Sequence, residues 1–254
     1  MVGLRLLVPL SMVCACGRIG FDGSGTGDGG FDARDSDSGD SDGPLAAMAP
    51  AFVQITASAD PSSPGTLSVT LNNVVVGNVL VVETDADPEM TAITSVTDSV
   101  GNTYASIPSF PSTDLTIRAL LTYAVVTTGG QVTITATIGA SGVSQEIRVA
   151  EYSHVNTSDP SDAIAWGAGP NATAMDGART DDFVTDAPND LIFSVLLLEG
   201  IDGAAGSGFV QRSGFNFDVI QDRIEPTPGT HAAIATAPGS AWVIGALALH
   251  GEPE

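Results

Sequence analysis

Lysine is absent from this chain, and its two cysteines stand at positions 14 and 16 of 254. All eight basic residues are therefore arginine, set against 30 Asp and Glu for a formal charge of −22. So acidic a surface repels nucleic acid and anionic lipid, which argues against direct DNA or RNA binding. Without cysteine past residue 16, the body has no thiol nucleophile, disulfide or thiolate metal ligand. Aromatics make up 6% of the residues, too few for the girdles of a membrane β-barrel. No apolar run approaches the roughly 20 residues of a membrane-spanning helix. Helical periodicity is nearly absent, so no glycine-rich loop leads into a helix that could cradle phosphate.

What the N-terminus does contain is a short export-like segment. A short apolar run, Leu4 to Val13, carries Arg5 near its start and ends in Val13-Cys14-Ala15-Cys16-Gly17. Its length suits a signal h-region. The motif resembles the lipobox of bacterial lipoproteins, with Val13 and Ala15 at −3 and −1 and Cys16 as the acylated residue. Cys14 departs from the small residue usual at −2 and is the alternative acceptor, although Val13 before it fits less well. The resemblance implies a signal peptide over 1–15, three acyl chains on Cys16 and membrane attachment. Buried acyl chain contributes about 0.8 kcal/mol per CH₂, so more than one chain anchors stably. Gly17 is not the Asp that retains some lipoproteins at the inner membrane, which favours the outer membrane or cell surface.

Residues 16–50 read as a disordered tether rich in Asp, Gly and Ser. The stretch Asp35-Ser36-Asp37-Ser38-Gly39-Asp40-Ser41-Asp42-Gly43 has nothing to bury, so it cannot offset the entropy of ordering. Its charges repel and extend it. An EF-hand would need Glu at the twelfth loop position. Counting from Asp35 or Asp37 gives Ala46 or Met48 instead. With the signal removed, 30 acids face seven Arg, and the tether supplies only part of that excess. The body is acidic as well, which fits solubility and leaves calcium chemically admissible.

Residues 51–254 read as a single all-β domain. Short runs rich in Val, Ile and Thr recur between Gly, Pro, Asn and Asp. In the first part these are Phe52–Ala57, Thr66–Leu71, Asn78–Glu83, Ile93–Asp98, Leu115–Thr127, Gln131–Ile138 and Ser144–Ser153. Later come Thr180–Thr185, Asp190–Leu198, Gly208–Arg212, Phe217–Asp222, Thr230–Thr236 and Ala241–His250. Thr133, Thr135 and Thr137 alternate with Val132, Ile134, Ala136 and Ile138, the pattern of a strand with one wet face. Ala241–Leu249 is nearly all apolar and reads as a central strand or one covered on both sides. Asp98-Ser99-Val100-Gly101-Asn102 and Thr128-Gly129-Gly130 carry turn residues that predict hairpins. The expected architecture is a two-sheet antiparallel sandwich.

Several of these segments also resemble a known module. Gly77-Asn78-Val79-Leu80-Val81-Val82, Val96-Thr97-Asp98-Ser99-Val100-Gly101-Asn102-Thr103-Tyr104 and Arg148-Val149-Ala150-Glu151-Tyr152-Ser153 carry the likeness. It continues through Ala187-Pro188-Asn189-Asp190-Leu191-Ile192-Phe193 to Ala241-Trp242-Val243. The order is similar to a β-sandwich module of bacterial secreted and surface proteins, lipoproteins of myxobacteria among them. The resemblance spans roughly Phe52 to Leu249 and implies a jelly-roll-like sandwich at the cell surface. It carries over no catalytic residue.

Few groups in the sequence are placed to carry chemistry. His154, His231 and His250 have no His-Glu-x-x-His spacing. Glu151 sits inside an apolar strand, where it would need a partner, with Arg148 and Arg223 as the candidates. Asp218, Asp222 and Glu225 cluster in sequence and are the candidate calcium or ligand loop. Gly206-Ser207-Gly208 lacks the spacing of a nucleophile elbow. Trp166, at an expected strand end beside a long loop, is the candidate sugar-stacking residue, the alternative being a cap on the core. Trp242 reads as core. The expectation is a lipid-anchored envelope protein, not an enzyme, whose sandwich binds a glycan or another surface component. The alternatives are a structural protein packing on an envelope partner and, more distantly, a polysaccharide-acting hydrolase.

Overall fold

The computed structural model describes residues 48–87, 93–107, 110–111, 118–170 and 174–253. Cys14, Cys16 and the tether as far as residue 47 lie outside the described residues. Among the described residues every regular element is a strand, and all pairings are antiparallel. In the first part of the chain these are β1 (Ala51–Ser63), β2 (Thr66–Val74), β3 (Val79–Asp87), β4 (Ile93–Asp98), β5 (Ala105–Ser106), β6 (Phe110–Pro111), β7 (Arg118–Val125), β8 (Gly130–Ile138) and β9 (Val143–Ser153). In the second they are β10 (Ser161–Gly169), β11 (Ala178–Arg179), β12 (Phe183–Thr185), β13 (Asp190–Leu198), β14 (Ala204–Ala205), β15 (Val210–Phe215), β16 (Asp218–Glu225), β17 (Gly229–His231), β18 (Ile234–Thr236) and β19 (Trp242–Leu249).

The two parts share one topology. The first forms a sheet in the order β1-β9-β3-β7-β5 and a second sheet, β2-β8-β4. The second part repeats both, as β10-β19-β13-β16-β15 and β11-β18-β14. Strand β6 and the β12–β17 ribbon are additions to this plan. First strand beside last, last beside third, and a smaller sheet opposite is the jelly-roll arrangement of two Greek keys. The expected antiparallel, jelly-roll-like arrangement is present, but it occurs twice within the span read as one two-sheet sandwich.

Registers confirm the equivalence. Val79 pairs with Tyr152 and Val125, and Leu191 pairs with Leu249 and Ile224. Two residues before each, Gly77 and Asn189 both adopt positive φ, 91° and 64°. Both are residue types that tolerate the left-handed region.

Three cores follow. The two large sheets face each other, burying Val79, Val81, Leu121 and Tyr152 against Leu191, Phe193, Ile220 and Leu247. The opposite face of β3 and β9 packs on β2 and β8 through Leu80, Val82, Val149, Leu71 and Ile134. The opposite face of β13 and β19 packs on the second small sheet through Ile192, Leu196, Ile244, Ala233 and Ala235. Every residue of β13 and β19 is accordingly buried, as the unbroken apolar run Ala241–Leu249 predicts. In β8, Val132, Ile134 and Ala136 are buried while the intervening threonines stay partly open. Thr133 and Thr135 exchange hydroxyl hydrogen bonds with Thr70 and Ser68 at 2.8 and 2.7 Å.

Two expected hairpins prove to be corners. Strand β4 pairs with β8 whereas β5 pairs with β7, so the turn at Asp98–Asn102 carries the chain from one sheet to the other. Thr128-Gly129-Gly130 does the same between β7 and β8, which share no ladder. A Greek key requires such crossings, and the same turn residues serve them. A true two-residue hairpin joins β15 to β16 through Asn216 and Phe217, both at positive φ (53° and 76°). Met48 bridges Glu252, so paired backbone is already present three residues before the expected boundary at residue 51.

Candidate functional site

Trp166 lies on β10 directly opposite Gly245 of β19. Its ring covers that glycine, since a Cβ there would meet the ring at 2.4 Å. The half-buried side chain packs against the core between the two large sheets. It caps that core, and this seat takes the place of the expected stacking platform. Trp242 is buried, with its ring over Gly169 on the other face of the same strand pair.

The three acids of β16 do not converge. Side chains alternate along a strand, so Glu225 points away from Asp218 and Asp222, and the latter two stand about 13 Å apart along it. Asp222 takes a bidentate bond from Arg212 (2.7 and 2.9 Å) and one from the Tyr152 hydroxyl of the other jelly roll (2.9 Å). Glu225 pairs with Arg223 and lies 3.5 Å from His231. Arg223 stacks on Phe209 at 4.5 Å.

Asp218 instead joins an ion cluster inside the joint between the sheets. Arg148, 1% exposed, reaches Glu83 at 2.7 Å and Asp85 at 2.8 Å, and also bonds Glu146 and Asp218. The hairpin Asn216 amide donates to Glu146, and the Leu198 N–H donates to Asp218 at 2.7 Å. One guanidinium thus faces four carboxylates. Burial drives the Glu83 and Asp218 carboxyls well above their ordinary range despite Arg148. Burial and the neighbouring Asp85 push Glu146 up to about 6.

Glu151, expected to pair with Arg148 or Arg223, meets neither and is held by hydrogen bonds from neutral amides instead. It is fully buried and accepts from the Gln54 and Asn78 amides at 2.5 and 2.6 Å and from the Val75 N–H at 2.9 Å. Its neighbour in sequence, Arg148, points to the opposite face of β9, as strand alternation demands.

The histidines separate into three settings. His154 is exposed and meets Glu252 at 3.2 Å, and His231 sits beside Glu225. His250 follows β19 and lies in a corner where the start of β10, the β12–β13 connection and the end of β19 come together. Its Nδ1 contacts the Asp159 carbonyl at 2.9 Å, and its Nε2 faces Asp186 at 3.2 Å and Asp162 at 3.6 Å. Asp190, the first residue of β13, is buried behind them. Sequence reasoning missed this group, because its members are 24 to 88 positions from Asp162 and only the sheet register assembles them. A bulge between Ser161 and Ile164 places Asp162 out of the ladder and toward the corner. Away from this corner, toward the other end of β10, a shallow polar cavity of about 290 Å³ is lined by Gly167, Ala168, Arg179, Thr180, Asp181 and Asp182.

Fold and groups together define an all-β, antiparallel, duplicated jelly roll that buries a set of its charged groups. No family model matches the chain, and neither a curated protein nor a solved structure is detectably similar to it.

Proposed function

We propose that this chain is a lipid-anchored protein of a bacterial cell envelope. It displays a non-catalytic double jelly roll on an acidic tether, and the module binds a glycan or another component of the cell surface. The lipobox-like segment ending at Cys16 supports the anchor. The disposition of charge supports a binding module over an enzyme: Glu83, Glu146, Arg148, Glu151, Asp218 and Asp222 are all buried, where they hold sheets together. Groups nearer the surface gather at loops and strand ends, which is where scaffolds of this kind present ligand-binding residues.

The anchor is tested by growing cells with a labelled fatty acid. Label on the wild-type chain, and its loss with release to the soluble fraction in Cys16→Ser, is the expected result. Label retained in Cys16→Ser and lost in Cys14→Ser would move the modification to Cys14. Binding is tested by a glycan array probed with the unlipidated Cys16→Ser chain, together with crosslinking in cells. Silence across the array, with reproducible capture of one envelope protein, would replace the glycan reading by a structural role.

A further inference from the structure

We propose that Asp162, Asp186 and His250, backed by Asp190, form a binding site for a divalent metal ion of the zinc–manganese class. The three nearer residues each offer one ligand atom, and those atoms lie within 4.8 Å of one another. The separations from His250 Nε2, 3.2 Å to Asp186 and 3.6 Å to Asp162, bracket the donor spacing of a tetrahedral ion. Bonds of 2.0–2.1 Å place tetrahedral donors about 3.3 Å apart. Two of them, His250 and Asp162, are also held from behind. The His250 Nδ1 is engaged by the Asp159 carbonyl at 2.9 Å, which directs Nε2 at the carboxylates, the outer-sphere arrangement common to ligating histidines. Asp162 Oδ2 accepts the Asp186 N–H at 3.0 Å, leaving Oδ1 turned to the imidazole.

Asp190 supplies the independent observation. It is 0% exposed, and neither of its carboxylate oxygens has a hydrogen-bond partner of ordinary geometry. Its carboxyl lies against that of Asp162, close enough for the two to share a proton, with the Ala187 N–H and His250 also near it. A buried carboxylate with no donor is costly and calls for a proton or a cation. The interior acids Asp85, Glu146 and Asp218 are just as close together, but Arg148 already provides their cation. Among the described residues no arginine ion pair reaches Asp162, Asp186 or Asp190, and the corner opens to solvent on one side, since the Asp186 side chain is 79% exposed. An imidazole among carboxylates selects zinc, manganese or a related ion over calcium or magnesium, which prefer oxygen alone.

The test uses the unlipidated Cys16→Ser chain, stripped with chelator and titrated calorimetrically with Zn²⁺, Mn²⁺ and Ca²⁺. One Zn²⁺ or Mn²⁺ per chain is expected, with a raised melting temperature. Asp186→Ala removes an exposed ligand that folding does not need, and should weaken binding by about tenfold or more. Co²⁺ should give a visible absorption band in the parent chain that His250→Gln abolishes. Absence of binding by all three ions would overturn the proposal. So would tighter binding of Ca²⁺ than of Zn²⁺ and Mn²⁺, or binding that is unchanged in both Asp186→Ala and His250→Gln.

Discussion

At Asp98 one carboxylate closes a whole turn. It accepts the N–H groups of Val100, Gly101 and Asn102 at 3.0, 2.6 and 3.1 Å, and also the Asn102 amide and the Tyr104 hydroxyl. Asn102 then ties that turn to the next corner, its Oδ1 accepting the N–H groups of Thr127 and Thr128 at 2.9 and 3.0 Å. Partial burial works to raise the Asp98 carboxyl, but the Asn102 amide and the three N–H groups outweigh it and hold the group below its ordinary range. Its contribution is therefore present above the ordinary carboxylate pKa and disappears as pH falls through the lowered one. Asp98→Ala should cost about 1–3 kcal/mol in urea unfolding at neutral pH, as expected for losing hydrogen bonds to a charge. A loss indistinguishable from zero would show the turn to be held by its backbone alone. The residue types of this turn were legible in the sequence, and so was its position. Its job was not, because a hairpin and a sheet-to-sheet corner need the same local chemistry and differ only in which distant strand receives the chain.

Among the strands, β10 shows where sequence reading stops. Its core, Ala163-Ile164-Ala165-Trp166-Gly167-Ala168-Gly169, has little β-branched content, so propensity does not mark it as a strand. It forms because β19 offers a ladder and because two tryptophans each need a glycine opposite. By contrast β13 and β19 announce themselves, since strands buried on both faces leave unbroken apolar runs. The short likeness of Gly77-Asn78-Val79-Leu80 to Asn189-Asp190-Leu191-Ile192 is visible in the sequence, but the chain reads there as a single sandwich, and only the registers reveal a duplication. Which strands belong to which sheet was not legible, since that depends on pairings between residues as far apart as β10 and β19. The Trp166–Gly245 contact makes a prediction at this scale. Gly245→Ala puts a Cβ into the ring and should destabilise by about 1–3 kcal/mol, the usual cost of overpacking. In a Trp166→Ala background the same substitution should be nearly neutral. Equal penalties in both backgrounds would place the strain elsewhere than at the ring.

For the molecule as a whole, the joint between the jelly rolls is the asymmetric part of a symmetric plan. Where the first jelly roll pairs Glu83 with Arg148, the second pairs Val195 with Gly245. One end of the joint is therefore aromatic and aliphatic, with Tyr152 edge-on to Phe193 at 6.3 Å. The other end holds Arg148, with Glu83, Asp85 and Glu146 from its own jelly roll and Asp218 from the other. Removing the cation leaves these carboxylates facing one another, and breaking a buried pair in this way costs about 3–5 kcal/mol. Arg148→Met should therefore destabilise on that scale, and the pH dependence distinguishes a charge effect from lost packing. Glu146 releases its proton at about 6 when folded, above its ordinary value, with Glu83 and Asp218 shifted in the same direction. Between the unfolded and folded values the native chain holds more protons than the unfolded one. The stability from these groups is therefore full below the unfolded pKa and is lost as pH rises through the folded one. The parent chain should melt higher near about pH 5 than near about pH 8 if this cluster governs the pH response. Arg148→Met should widen that gap, because the remaining carboxylates can then be neutralised only by protons. A gap of the same size in both proteins would mean that Arg148 acts in the joint by volume and not by charge.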